Sequence, residues 1–100
     1  MTLKKIALSV CVIGLSQSAF AADIEAGKAA TGMCVACHGA AGISNNDLWP
    51  NLAGQKQGYL VKQIMAFRDG TRNDPTMAPM AKALPENQIE NVAAYYASLK

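Results

Sequence analysis

An all-α fold of about four helices is the class that the sequence predicts, and three observations predict it. Toward the C-terminus Ile89, Val92, Ala93, Tyr96 and Leu99 recur at spacings of three or four, which is one face of a helix. The connecting segments are rich in glycine and proline, so helices end and restart rather than run on. No segment alternates apolar and polar residues over a useful length, so no sheet is expected.

The first stretch is set apart from that fold. Lys4 and Lys5 precede an uncharged apolar run from Ile6 to Leu15, and small residues follow up to Ala19-Phe20-Ala21. That order is the order of a secretory signal peptide, with cleavage expected after Ala21 and Ala22 as the second choice. The run is about half of the roughly 18 residues that a membrane span requires. Cys11 lies inside it behind Val10 and reads as an apolar residue that leaves with the leader. Two segments result: a leader at 1–21 and one domain at 22–100.

A domain of about 80 residues is near the size at which one apolar core is barely sufficient. Its two cysteines, Cys34 and Cys37, could close only a tiny loop, and such a loop constrains the unfolded chain little. A bound macrocycle would supply the missing core. The formal charge of +2 includes Lys4 and Lys5, and without them seven basic residues face seven acidic ones. A neutral domain argues against nucleic acid as a partner.

The elements follow in order. Residues 23–33 are rich in Ala, Glu and Lys, and Asp23 stands where a helix cap would. Residues 39–54 read as a loop punctuated by Gly39, Gly42 and Pro50, with a turn at Asn45-Asn46-Asp47. Residues 57–69 read as a helix with Leu60, Ile64 and Phe67 on one face, closed by Gly70. Residues 71–83 contain Pro75 and Pro79 and cannot form one regular helix. Residues 86–99 are the clearest helix.

The chemistry lies in Cys34-Val35-Ala36-Cys37-His38, a C-x-x-C-H sequence read as a site of c-type haem attachment. Two thiols add across the two vinyl groups of one porphyrin, and two intervening residues let a single turn of chain span them. The next residue then lies under the iron, where its imidazole becomes an axial ligand. A thioredoxin-like site would need a strand–helix setting. A tetrahedral zinc site would need about four protein ligands, and His38 is the only histidine. A plain disulfide would leave His38 unexplained. The sixth ligand must be another residue type, and methionine sulfur suits a high-potential carrier. Met33 adjoins the attachment site and Met65 lies within a predicted helix, where it is more simply core. Met77 and Met80 lie in the proline-broken segment, and spacing alone does not choose between them.

With these residues in place, the domain resembles a class I cytochrome c of the short bacterial monohaem type. It is especially similar to single halves of the tandem dihaem periplasmic cytochromes. Cys34 to Gly39, Pro50 to Gln55, Tyr59-Leu60 with Gln63 and Phe67, and Gly70 with Arg72 carry the likeness in order. Met77-Ala78-Pro79-Met80, Leu84 and Val92 to Tyr96 complete it. The resemblance implies a cytochrome c fold around one covalent haem c, held by Cys34 and Cys37, with His38 as proximal ligand. It implies Met77 as the distal ligand, seven residues before the leucine matched by Leu84, and leaves Met80 to packing or the surface. It also implies that the Pro50 carbonyl accepts a hydrogen bond from the ligand histidine.

Two positions depart from the family pattern. Thr31 stands where an aromatic residue is common, so the contact of first and last helices falls to Gly27, Ala30 and Tyr95 or Tyr96. Pro85 stands where a serine or aspartate cap is common. Among the remaining residues, Trp49 packs on the haem or closes the loop. Arg72 and Lys56 either meet a propionate or are solvated. Tyr59, Phe67, Tyr95 and Tyr96 are expected in the core.

The expected function is that of a periplasmic electron carrier, not an enzyme, working by outer-sphere one-electron transfer through a His/Met-ligated haem. Its partners would be redox proteins, an electron donor and an acceptor such as a membrane reductase and a terminal oxidase or reductase, with no small-molecule substrate. Two alternatives stand beside it: a haem subunit of a larger oxidoreductase, and a haem enzyme with an open iron position. The latter would need distal acid/base groups.

Overall fold

The computed structural model describes residues 21–100. All but the last residue of the expected leader lies outside the described residues. The described residues are helical, with no strand among them, in the all-α class the sequence predicts. Five α-helices run in order: α1 (Ile24–Ala29), α2 (Val35–His38), α3 (Gln57–Asp69), α4 (Met77–Ala83) and α5 (Ile89–Ser98). A 3-10 turn, Glu86–Gln88, leads into α5.

α1 begins where Asp23 caps it. The carboxylate accepts from the Ala26 amide at 3.0 Å, which satisfies one of the amide donors that a helix start leaves free. The helix is shorter than the sequence suggested. The Thr31 hydroxyl donates to the Lys28 carbonyl at 2.7 Å, and the chain turns at Thr31 instead of running on to Met33. α3 matches its expected bounds and ends at Gly70, whose amide donates to the Ala66 carbonyl.

The 71–83 segment is not one regular helix, as expected, but its second half, from Met77, is helical. α4 starts at Met77, so Pro79 is its third residue, within the first turn, where no intrahelical partner for its missing N–H is needed. Pro85 precedes the 3-10 turn as its N-cap, and regular α geometry begins only at Ile89.

α5 is the organising element. Its residues Val92 to Tyr96 are all buried, and they join Ile89, Leu60 and Leu84 in the core. α1 and α3 both pack on α5, and α4 packs on α3. The α1–α5 contact rests on Gly27, as expected from the absence of an aromatic residue at Thr31. A Cβ at Gly27 would overlap the Asn91 carbonyl of α5. The crossing is also tied by the Asp23 amide, which donates to Asn91 Oδ1 at 2.7 Å. Ala30 packs against the core beside it.

This crossing makes a stability prediction. Gly27→Ala should force α1 off α5 and cost about 1–3 kcal/mol, lowering Tm by roughly 4–8 °C per kcal/mol in a domain of this size. Gly58→Ala in α3, where a Cβ meets nothing within 4 Å, should instead stabilise by about 0.5–1 kcal/mol. Thermal unfolding of the two holoprotein variants checks both signs.

Candidate haem site

The attachment motif forms its own turn of helix. Cys34 is the N-cap of α2, its amide donates to the Thr31 carbonyl at 2.8 Å, and the His38 amide donates to the Cys34 carbonyl at 2.9 Å. In a helix, residues separated by three and four share a face. Cys34, Cys37 and His38 therefore present two thiols and an imidazole to one side, and all three line a cavity of about 440 Å³. Neither cysteine is disulfide-bonded.

The other walls are chiefly apolar. α3 contributes Leu60, Ile64 and Phe67, α4 contributes Met77 and Met80, and α5 contributes Val92 and Tyr96. Trp49 of the loop closes part of the mouth and is 37 % exposed.

The 39–54 loop brings one carbonyl to the imidazole. The Leu52 and Ala53 amides both donate to the Gly42 carbonyl, at 2.8 and 3.0 Å, and the Gly54 amide donates to the Tyr96 carbonyl at 2.9 Å. Gly42 is buried at φ +77°, with Ala53 and the Tyr96 ring against it, so only glycine fits the pinch. Asn46 builds the expected turn, accepting from the Leu48 amide at 2.7 Å through its side chain. So held, the Pro50 carbonyl lies 2.8 Å from His38 Nδ1. A carbonyl only accepts, so the proton resides on Nδ1 and the Nε2 lone pair is left for a metal. His38 itself is 7 % exposed.

Met77 and Met80 differ in setting. Met77 is half-buried and Met80 is 37 % exposed. The Met77 amide is held by Asp74 Oδ1 at 2.8 Å. The amides of Met77 and Thr76 hold the Asp74 carboxyl below the usual carboxylate range, with nearby Arg72 adding to the effect. Met33 and Met65 pack against the core, and Met33 also touches the cavity beside Cys34. Arg72 lines the cavity as well. It stacks on the Phe67 ring at 4.5 Å and donates to Gln63 Oε1 at 2.6 Å. Lys56 stands at the N-cap of α3, outside the cavity wall.

Asp74 did not stand out in the sequence. Its signal was there as Asp74-Pro75, a pair that favours turn initiation, just ahead of the helix that carries Met77.

Beside His38, Tyr96 is a buried polar group of the site, 1 % exposed. Its hydroxyl lies close to the Cys34 thiol and to Thr31 but has no aligned hydrogen-bond partner. Burial pushes the phenol well above its ordinary pKa, and the adjacent Cys34 adds to this. Burial likewise pushes the Cys34 thiol up.

These residues fit a covalent haem. Two thiols three residues apart share a face with an imidazole whose tautomer is fixed, beside an apolar cavity that three methionine thioethers also reach. Among the described residues no group of three or more His, Cys, Asp or Glu converges on one point as a metal ion would require. The donor set suits a macrocycle rather than a bare ion. Cys34 and Cys37 would hold the group, and His38 would ligate its iron.

Fold and site together define a c-type haem domain. The cytochrome c family model matches residues 24–100, and the chain belongs to that family. It carries covalently bound haem c, a single one for a domain of this length. It is 46% identical over 81 residues to cytochrome c-554(548) of Halomonas halodenitrificans, covering 78% of this chain and 98% of that protein. It is 39% identical over 94 residues to a thiosulfate dehydrogenase electron acceptor of Thiomonas intermedia, covering 93% of this chain and 43% of that one. The crystal structure of reduced cytochrome c4 from Pseudomonas stutzeri superposes with a TM-score of 0.75 at 36% identity, covering 80% of this chain and 47% of that one. The chain thus spans nearly the whole of the first relative and less than half of the other two.

The buried phenol gives a pH prediction. With its folded pKa raised, Tyr96 keeps its proton in the folded state after the unfolded chain has lost it. Stability is then unaffected below the unfolded tyrosine value of about 10 and falls as pH rises above it. Tyr96→Phe should change the urea midpoint little at neutral pH, since the hydroxyl lacks an aligned partner. At about pH 11 the variant should unfold at a higher urea concentration than the parent.

Proposed function

We propose that the chain is an exported electron carrier working in the periplasm as residues 22–100, after removal of the leader at 1–21. It exchanges single electrons with redox proteins, a donor and an acceptor such as a membrane reductase and a terminal oxidase or reductase. The observation that carries this reading is the cavity in which Cys34, Cys37 and His38 share one wall and the half-buried Met77 lines another part. The bound haem supplies the one-electron couple. The protein's part is to hold, insulate and expose it.

Cys34 and Cys37 would hold the group covalently, and His38, oriented by the Pro50 carbonyl, would ligate it through Nε2. Met77 would supply the second ligand. Its soft sulfur favours the ferrous state and raises the potential. With Met77 and His38 both on the iron, no substrate would reach the metal, and transfer would be outer-sphere. The apolar walls lower the local dielectric, which limits the reorganisation that each transfer costs.

A second reading is supported by the relative named a thiosulfate dehydrogenase electron acceptor. In that reading the same domain serves as a haem subunit or dedicated acceptor of one larger oxidoreductase. An enzyme with an open iron position is the reading that a Met77 ligand disfavours.

The native protein should be low-spin, with a weak sulfur-to-iron band near the red end of its spectrum. Met77→Ala should remove that band, lower the potential and open the iron to carbon monoxide, whereas Met80→Ala should do none of these. A native protein that is already high-spin and turns over peroxide would overthrow the carrier in favour of an enzyme. Intact mass should equal residues 22–100 plus one haem, and acid acetone should extract none of it. Replacing Cys34 and Cys37 with Ala should give a largely unfolded product by far-UV circular dichroism, since the cavity is then left without its covalent filling.

A further inference from the structure

We propose that Asp74 is the positioning residue for the distal ligand, holding the turn from which the Met77 sulfur reaches the iron. The inference rests on Met77 being that ligand.

The start of α4 has an unusual donor balance. A helix leaves its first amides without intrahelical partners, and in most helices several side chains or waters share them. Here one residue takes them all. Asp74 Oδ1 accepts from the Thr76 amide at 2.9 Å and from the Met77 amide at 2.8 Å. The Asp74 carbonyl accepts from the Ala78 amide at 2.9 Å. Pro79 has no N–H to satisfy, and Pro75 fixes φ between the carboxylate and its two donors. Thr76, the N-cap residue itself, provides no side-chain cap. The direction in which the Met77 side chain leaves the backbone is therefore set by Asp74.

The placement also matters. Asp74 lies at the wall of the haem cavity, and α4 packs chiefly on α3. Nothing else among the described hydrogen bonds ties residues 75–77 to the rest of the protein. If this turn opens, the methionine leaves the iron without disturbing α5 or the attachment helix. The fraction of molecules with an open iron is thus the fraction with the Asp74 turn undone.

The acceptor geometry is the operative feature, and three substitutions separate it from charge. Asparagine keeps an Oδ1 at the same place without charge. Glutamate keeps the charge but moves it by one methylene. Alanine removes both. In the holoprotein, Asp74→Ala and Asp74→Glu should weaken the sulfur-to-iron band. They should also speed carbon monoxide binding to the ferrous form by about ten-fold or more, since apparent binding scales with the open population. Asp74→Asn should behave as the parent.

Met77→Ala and Met80→Ala are measured alongside. If Met77→Ala abolishes the band while Asp74→Ala keeps it and binds carbon monoxide at the parent rate, the ligand reading stands and this proposal is overturned. If Asp74→Glu is parent-like and Asp74→Asn resembles Asp74→Ala, charge rather than geometry acts, and the proposal is again overturned. If Met80→Ala removes the band and Met77→Ala does not, the ligand reading fails and this proposal falls with it. Far-UV circular dichroism of each variant, expected to match the parent, separates a local opening from a misfolded chain. A fold lost in Asp74→Ala but kept in Asp74→Glu leaves the glutamate variant to decide.

Discussion

A domain of about 80 residues that keeps a cavity of about 440 Å³ among its helices is not held together by its own side chains alone. The buried cluster is small and one-sided: α5 with Leu60 and Leu84 forms one mass, and the cavity lies against it. Val92, Ala93 and Tyr96 belong to both, facing the cluster and lining the cavity. The covalent haem would therefore do two things with one set of contacts. It would fill the volume that the core lacks, and, bound to Cys34 and Cys37, it would tie α2 to that filling. The other features of the fold arrange the chain around that filling.

In the proposed arrangement the two sides of the haem would be held by different means. On the proximal side His38 belongs to a helical turn that also carries Cys34 and Cys37, and its imidazole is buried and fixed by the Pro50 carbonyl. That carbonyl is placed by a loop closed at Gly42 and latched to α5 through the Gly54 amide. Moving His38 would require moving the loop, the helix and two covalent bonds together. On the distal side Arg72 ties the chain after α3 back to that helix, and the start of α4 is set by one aspartate.

Much of this was legible in the sequence because it rests on local patterns. α3 follows from its apolar spacing and a terminal glycine, and α5 from the longest run of that spacing. The C-x-x-C-H motif defines its own chemistry, since helical spacing puts Cys34, Cys37 and His38 on one face. The misreadings were also local in cause. α1 ends early because the Thr31 hydroxyl turns back onto the Lys28 carbonyl, a competition that composition does not show. α4 was hidden by Pro75 and Pro79, which look like breakers until one sees that one precedes the helix and the other sits in its first turn. The first turn before α5 is 3-10, closed by the Gln88 amide donating to the Pro85 carbonyl. The role of Asp74 was illegible because an Asx turn is recognised by where its oxygen points, and the sequence shows only that an aspartate precedes a proline.

The asymmetry between the two sides follows from how each ligand is attached. With Met77 as the second ligand, the iron would have to stay six-coordinate in both redox states, and its bond to the methionine would depend on how well the sulfur is aimed. Rigidity on the proximal side does not supply that aim, because α4 packs chiefly on α3. The aim has to come from within the distal segment. A short helix with a proline in its first turn has few amides to satisfy, so a single side chain with a fixed bite can set its orientation. The prolines that disguised α4 are then part of why it works: they remove donors and torsional freedom, and what is left is a turn that one carboxylate can hold.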